Sequence, residues 1–116
     1  MDETIYTSSP VGKRLKAIKR NEKCCVLFNG KKVPLITKIT IGREKDNDLV
    51  LDNKLISRYH AYIQKIKNEY FIRDLHSANG TFVNGKQIES DKYYKITSKD
   101  TIIIANMEVS IQRELS

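Results

Sequence analysis

Gly42-Arg43, Asn47-Asp48-Leu49-Val50-Leu51, Ser57-Arg58-Tyr59-His60-Ala61 and Asp74-Leu75-His76-Ser77-Ala78-Asn79-Gly80-Thr81-Phe82-Val83-Asn84-Gly85 mark out the stretch from Gly42 to Gly85. Short apolar runs alternate there with polar turns that hold an Arg, a Ser, an Arg and an Asn. Those side chains supply hydrogen-bond donors without an obvious acid or base among them. Such a set suits holding an anion better than breaking a bond.

The same texture extends on both sides. Ile39-Thr40-Ile41 alternates and stops at Gly42, and Leu49-Val50-Leu51 is a short run bounded by Asp48 and Asp52. Ala61 to Ile66 alternates, turns at Lys67-Asn68 and pairs with Tyr70 to Leu75. Thr81-Phe82-Val83 ends at Asn84-Gly85, a two-residue hairpin signal, and pairs with Lys86 to Ile88. Tyr93 to Ile96 adds a short strand. Thr101 to Ala105 and Glu108 to Ile111 make a last pair, turning near Asn106. Toward the N-terminus, Cys24 to Phe28 ends at a second hairpin signal, Asn29-Gly30, and Pro34 confines Lys32 to Leu35 to a sheet edge or an irregular strand. About ten or eleven short strands, with no convincing helix after residue 22, predict an all-β sandwich. A closed β-barrel is the structural alternative.

Composition sets the outer bounds. The 116 residues have room for one domain, and 40% apolar with 30% charged residues fits a soluble globular chain. No apolar run approaches the roughly 20 residues needed to cross a bilayer. The start, Met1-Asp2-Glu3-Thr4, is acidic and lacks the apolar core of a secretory signal. The two cysteines, Cys24 and Cys25, are adjacent, which suits neither a disulfide nor a metal site. One of them is expected to be buried as a small hydrophobe, in a reducing compartment. Net charge is +7, and residues 1–23, with six basic and three acidic residues, leave +4 for the remainder. A spread basic surface favours anionic partners in general and does not choose among them.

Residues 1–22 show no strand alternation and read as a flexible basic N-terminal segment, with residues 23–114 as the domain. Within the domain, loops at one end of a sandwich can pool their side chains into one site. Arg43 follows a strand and a glycine, Ser57 and Arg58 precede the strand that starts at His60, and Asn79 precedes Thr81. If their loops meet, they offer charged forks, a hydroxyl and an amide, a match for a phosphate's charge and three acceptor oxygens. Taken singly, each has a plainer reading. Arg43 fits a solvated arginine, Ser57 a loop hydroxyl bonding its own backbone, and Asn79-Gly80 and Asn84-Gly85 turns that need positive φ.

Gly42-Arg43, Ser57-x-x-His60, and Asn79-Gly80 with Asn84-Gly85, in this order within 44 residues, resemble the forkhead-associated (FHA) domain. The resemblance covers roughly Cys24 to Arg113. It implies an eleven-stranded β-sandwich that holds a phosphothreonine peptide in loops at one end. It assigns the phosphate to Arg43 and Ser57, the phosphate or the peptide backbone to Arg58, and the backbone beside the phosphothreonine to Asn79. Gly42, His60, Gly80, Asn84 and Gly85 would be scaffold, with His60 steadying the loop that presents Ser57. Preference for threonine over serine would come from a small apolar niche for the γ-methyl group. Ala78 stands where related domains often hold threonine. Leu55 stands where some place an arginine that reads a downstream acidic residue. These two positions are therefore the specificity candidates, with Lys54 beside them.

The resemblance also implies a monomeric, non-catalytic signalling module with no cofactor and no metal. Its partners would be phosphothreonine-containing proteins in a Ser/Thr kinase pathway, with no specific nucleic acid and no membrane. Its location would be cytoplasmic, or nuclear in a eukaryote. Phosphorylated Thr4 or Thr7 would act as a self-blocking ligand, as in some short bacterial members. Three rival readings stand beside this one. Ser57, His60 and Asp74 supply the residue types of a hydrolase triad, though without a nucleophile elbow. The basic lead-in allows weak nucleic-acid binding, and a degenerate domain could bind protein without phosphate.

Overall fold

The computed structural model describes residues 22–115 and consists of eleven strands in two packed sheets. The strands are β1 (Glu22–Phe28), β2 (Lys31–Pro34), β3 (Lys38–Gly42), β4 (Leu49–Val50), β5 (Ala61–Ile66), β6 (Glu69–Asp74), β7 (Thr81–Val83), β8 (Lys86–Gln87), β9 (Tyr94–Ile96), β10 (Ile102–Ile104) and β11 (Met107–Leu115). One sheet runs β2-β1-β11-β10-β7-β8 and the other β4-β3-β5-β6-β9. Every ladder is antiparallel except the short parallel pair of β3 and β4. The expected sandwich is the observed fold, and a barrel is not: each sheet ends in two edge strands.

Alternation decides which residues meet between the sheets. Ile39 and Ile41, Ile63, Ile72 and Ile96 point inward from one sheet, and Val26, Ile102, Ile104, Val109 and Ile111 from the other. All ten are β-branched isoleucine or valine from the expected strands, so the core is stiff at χ1 and shaped for pleated sheets. Leu35, Leu51, Ile56 and Ile88 close it from the connections. Asn29-Gly30 and Asn84-Gly85 both have positive φ at the two positions, 52° and 78°, then 53° and 84°. That backbone twist matches the twist of the strands they join. Pro34 lies on β2, at the edge of the six-stranded sheet, where a missing N–H costs no ladder bond.

Two expectations differ in detail. Both cysteines are buried, not one. Cys24 joins the apolar core, where burial pushes its thiol pKa up. The last strand is also longer than its apolar run, because β11 continues to Leu115 by pairing with β1. In that part its partners are supplied by the far end of the chain, which local alternation does not report.

Parallel β3 and β4 fix the functional end. β3 ends at Gly42 beside Val50, β5 begins at Ala61 opposite Ile41, and β6 ends at Asp74 opposite Ala61. The connections 43–48, 51–60 and 75–80 therefore all emerge at the same end of the sandwich.

Candidate functional site

These three connections surround an open cleft of about 510 Å³. Arg43 enters it from the first, Lys54 to Tyr59 from the second, and Leu75, Ala78 and Asn79 from the third. Four expected contact residues, Arg43, Ser57, Arg58 and Asn79, are thus on one cleft, with Leu55 and Ala78 beside them. Among the described residues, no carboxylate lines it.

Each member is held by backbone that leaves some of its donors uncommitted. Arg43 N–H donates to Ser57 O at 3.0 Å, and its Nε–H to Ile56 O at 3.0 Å. The Nη hydrogens have no partner among the described residues. Ser57 Oγ accepts the Ala78 N–H at 2.9 Å, which leaves the hydroxyl proton to donate elsewhere. Asn79 Nδ2 donates to Leu55 O at 2.8 Å, tying the third connection to the second and keeping Oδ1 as an acceptor. Arg58 is exposed, while its carbonyl is fastened twice, by Glu44 N–H at 3.2 Å and by Asn47 Nδ2 at 2.9 Å.

Gly42 explains how the first two connections come so close. A Cβ there would lie 2.1 Å from the Arg58 carbonyl oxygen and 2.7 Å from Asn47 Nδ2. Even Ala does not fit unless backbone shifts. Gly42→Ala is expected to cost about 1–3 kcal/mol, the range for overpacking a tight site. It should also weaken ligand binding by moving Arg58. Urea unfolding and a ligand titration on the same preparation check both effects.

His60 is fully buried. Its Nδ1 accepts the Ser57 N–H at 3.1 Å, so the proton sits on Nε2, which donates to Gly80 O at 2.9 Å. The ring therefore connects the second and third connections in one fixed tautomer. Burial pushes its pKa below the usual histidine value, against the opposing pull of the Gly80 carbonyl and Asp74. The folded protein favours neutral His60, whereas the unfolded chain binds a proton near pH 6.5. This contribution to stability is present above that value and is lost as pH falls below it. Urea midpoints measured from pH 7.5 to 5.5 should fall; a rise on acidification would contradict the assignment.

Asp74 organises the third connection from below. Its carboxylate accepts Ser77 N–H at 3.1 Å and the hydroxyls of Ser77, Thr81 and Ser90 at 2.6, 2.7 and 2.7 Å. Burial pushes the carboxyl pKa up, but the hydrogen bonds from Ser77, Ser90 and Thr81 outweigh it and hold it below the usual range. Ser57, His60 and Asp74 do not form a relay. His60 meets Ser57 at its amide and not its hydroxyl, and the Asp74 oxygens are taken by other partners.

The remaining sequence candidates fall outside the cleft. Gly80 has φ of 86° and presents its carbonyl to His60 and Ala105. Asn84 and Gly85 lie at the opposite end, where Asn84 bonds Asp100 at 2.9 Å and the Thr101 N–H at 2.9 Å. Thr4 and Thr7 lie outside the described residues. Sequence reasoning passed over Asn47, whose buried amide bonds Glu44 O and Arg58 O, because Asn-Asp before an apolar run reads as a turn. Tyr59 and Leu75 were also missed as cleft walls, each looking like one more strand-flanking apolar residue. Among the described residues, no group of three or more His, Cys, Asp or Glu could hold a metal ion, and no helix is long and apolar enough to cross a membrane.

An eleven-stranded sandwich with its polar cleft among these connections is the architecture of an FHA domain. A family model described as FHA domain matches residues 39–105, more than half of the chain, and the chain belongs to that family. It is similar to the transcriptional regulatory protein EmbR of Mycobacterium tuberculosis, 39% identical over 87 residues, which are 74% of this chain and 22% of EmbR. The glycogen accumulation regulator GarA of the same organism is 35% identical over 82 residues, 70% of this chain and 48% of GarA. Among solved structures, M. tuberculosis EmbR in complex with a low-affinity phosphopeptide superposes with a TM-score of 0.68 at 35% identity. That match covers 78% of this chain and 24% of the other. The chain spans about half the length of GarA and about a fifth of EmbR.

Proposed function

We propose that this domain captures phosphothreonine segments of partner proteins and performs no chemistry on them. The observation that carries the reading is the cleft itself. Two arginines, a lysine, a serine hydroxyl and an amide converge there with no carboxylate among them. A phosphate of charge about −1.5 to −2 with three acceptor oxygens complements that set. Arg43 and Ser57 take the phosphate, Arg58 the phosphate or the adjoining peptide backbone, and Asn79 the backbone through its amide. Leu55 and Ala78, together with Leu75, present apolar surface to the side chains around the phosphothreonine. EmbR, the relative solved with a phosphopeptide, supports the ligand class.

A phosphothreonine-peptide library tests this, with matched phosphoserine and unphosphorylated sets. The phosphothreonine set should bind at least about 100-fold more tightly than the unphosphorylated one, a difference of about 2.7 kcal/mol. Equal binding of the two would return the domain to a phosphate-independent role. The ligands of such a module come from a Ser/Thr kinase pathway, and the module acts as a monomer. We further propose that phosphorylated Thr4 or Thr7 competes for the same cleft. From Thr7 to Cys24 the chain can reach at most about 55 Å. Phosphorylating the full chain should then move the amide resonances of Ser57 and Asn79, and changes confined to residues 1–22 would refute self-binding.

A further inference from the structure

The outward face of the five-stranded sheet, whose residues are not among those lining the cleft, carries a second organised surface. Lys38↔Gln64↔Phe71 and Tyr62↔Arg73 are cross-strand neighbours on β3, β5 and β6, and Tyr93, just before β9, adjoins them. Lys38 Nζ sits 4.1 Å from the centre of the Tyr62 ring, and the Arg73 guanidinium 5.1 Å from that of Tyr93. Tyr93 meets Tyr62 and Phe71 edge to face, with centroids 6.2 and 6.3 Å apart. Tyr62 and Tyr93 join hydroxyls at 2.8 Å, and Tyr93 donates on to Gln64 Oε1 at 3.2 Å.

Solvated strand faces do not need three interlocked rings. None of these six side chains is acidic. Lys38 has no carboxylate partner among the described residues, and Arg73 Nε is buried without a hydrogen-bond partner. Acids border the patch: Asp91 lies 3.5 Å from Arg73, Asp48 accepts the hydroxyl of Thr40 opposite Tyr62 at 3.1 Å, and Glu69 pairs with Lys95 at 2.7 Å. Tyr, Phe and Arg on a pre-ordered flat surface make the composition of interface centres, where rigid rings lose little entropy on binding.

We propose that this face is a second docking surface, for an acidic stretch of a protein partner in which carboxylates alternate with apolar side chains. Charge complementarity selects the carboxylates, through Lys38 and Arg73. Ring geometry argues against stacked nucleobases. Lys38 and Arg73 already cover ring faces of Tyr62 and Tyr93, which a stacking base would need.

The test uses the full chain and an unphosphorylated 12-residue peptide of alternating Glu and Leu, followed by amide chemical shifts. Shifts are expected at Tyr62, Gln64 and Phe71. Lys38→Glu, at an exposed position, should weaken the peptide at least about tenfold, while Lys86→Glu, exposed on β8 of the other sheet, leaves it unchanged. Shifts confined to Arg43, Ser57 and Arg58, indifference to Lys38→Glu, or no binding at millimolar peptide would each overturn the proposal. Binding of oligo-dT at this face without binding of the acidic peptide would overturn it too.

Discussion

Arg43→Ala is expected to abolish measurable phosphothreonine-peptide binding while leaving the domain folded. Arg43 is anchored by its Nε–H to Ile56 O, and this bond aims the planar group and leaves the Nη hydrogens for a ligand. Truncating one partner of a hydrogen-bonded charge pair that the bound ligand buries costs about 2–5 kcal/mol, or roughly 30- to 4,000-fold in affinity. The folded state loses one side chain to backbone bond, about 1 kcal/mol. Calorimetric titration with a phosphothreonine peptide, beside urea unfolding, separates the two quantities. Arg43→Lys keeps the charge and loses the fork and the Ile56 anchor, so it should recover only part of the affinity. Full affinity in the alanine variant would remove Arg43 from the site.

The second large effect is expected at a residue that no ligand touches. Asp74→Ala removes the acceptor shared by three hydroxyls and an amide, one of them on buried Thr81. Stranding the donor on buried Thr81 costs about 1–3 kcal/mol and losing each of the three part-buried bonds about 0.5–1, so the variant should lose about 3–6 kcal/mol and at 37 °C be partly unfolded. Asp74→Asn retains one acceptor oxygen and should lose less. Below its folded pKa, which lies under the usual carboxylate range, wild-type Asp74 is itself protonated. The stability it contributes is present above about pH 3.9 and is lost as pH falls through that lower value. The gap between wild type and Asp74→Asn should therefore close in acid. Guanidinium unfolding at pH 7 and pH 3 measures it, and a gap that stays constant would show that the carboxylate charge does not matter.

Local chemistry accounts for what was legible in advance. Alternating isoleucines announced the sandwich, and Asn29-Gly30 and Asn84-Gly85 announced their hairpins, because period-two burial and positive φ are written in neighbouring residues. Arg43, Ser57, Arg58 and Asn79 stood out as donors beside turns, and the shared cleft brings them together. Other features depend on parts of the chain far apart. The Asn47 amide bridges to Arg58, the Asp74 carboxylate reaches Ser90, and β11 extends along β1. A polar residue in a turn looks alike whether it faces water or a carbonyl eleven residues on. The aromatic face of the five-stranded sheet was hidden for the same reason, since one outward ring on β5, one on β6 and one just before β9 are unremarkable until these strands lie side by side.

The pairing of β1 with β11 also governs how the domain would respond to being pulled. Glu22 lies opposite Leu115, so the chain enters and leaves the sandwich side by side, at the end away from the cleft. Tension applied through those two points would open the ladder from Glu22 and Leu115 toward Leu27 and Ser110, one rung after another, as a zipper opens. A pair of strands loaded lengthwise in opposite directions would break all its rungs at once and resist far more. Little force would be needed to begin peeling this domain, and the three connections around the cleft would be the last part to feel it.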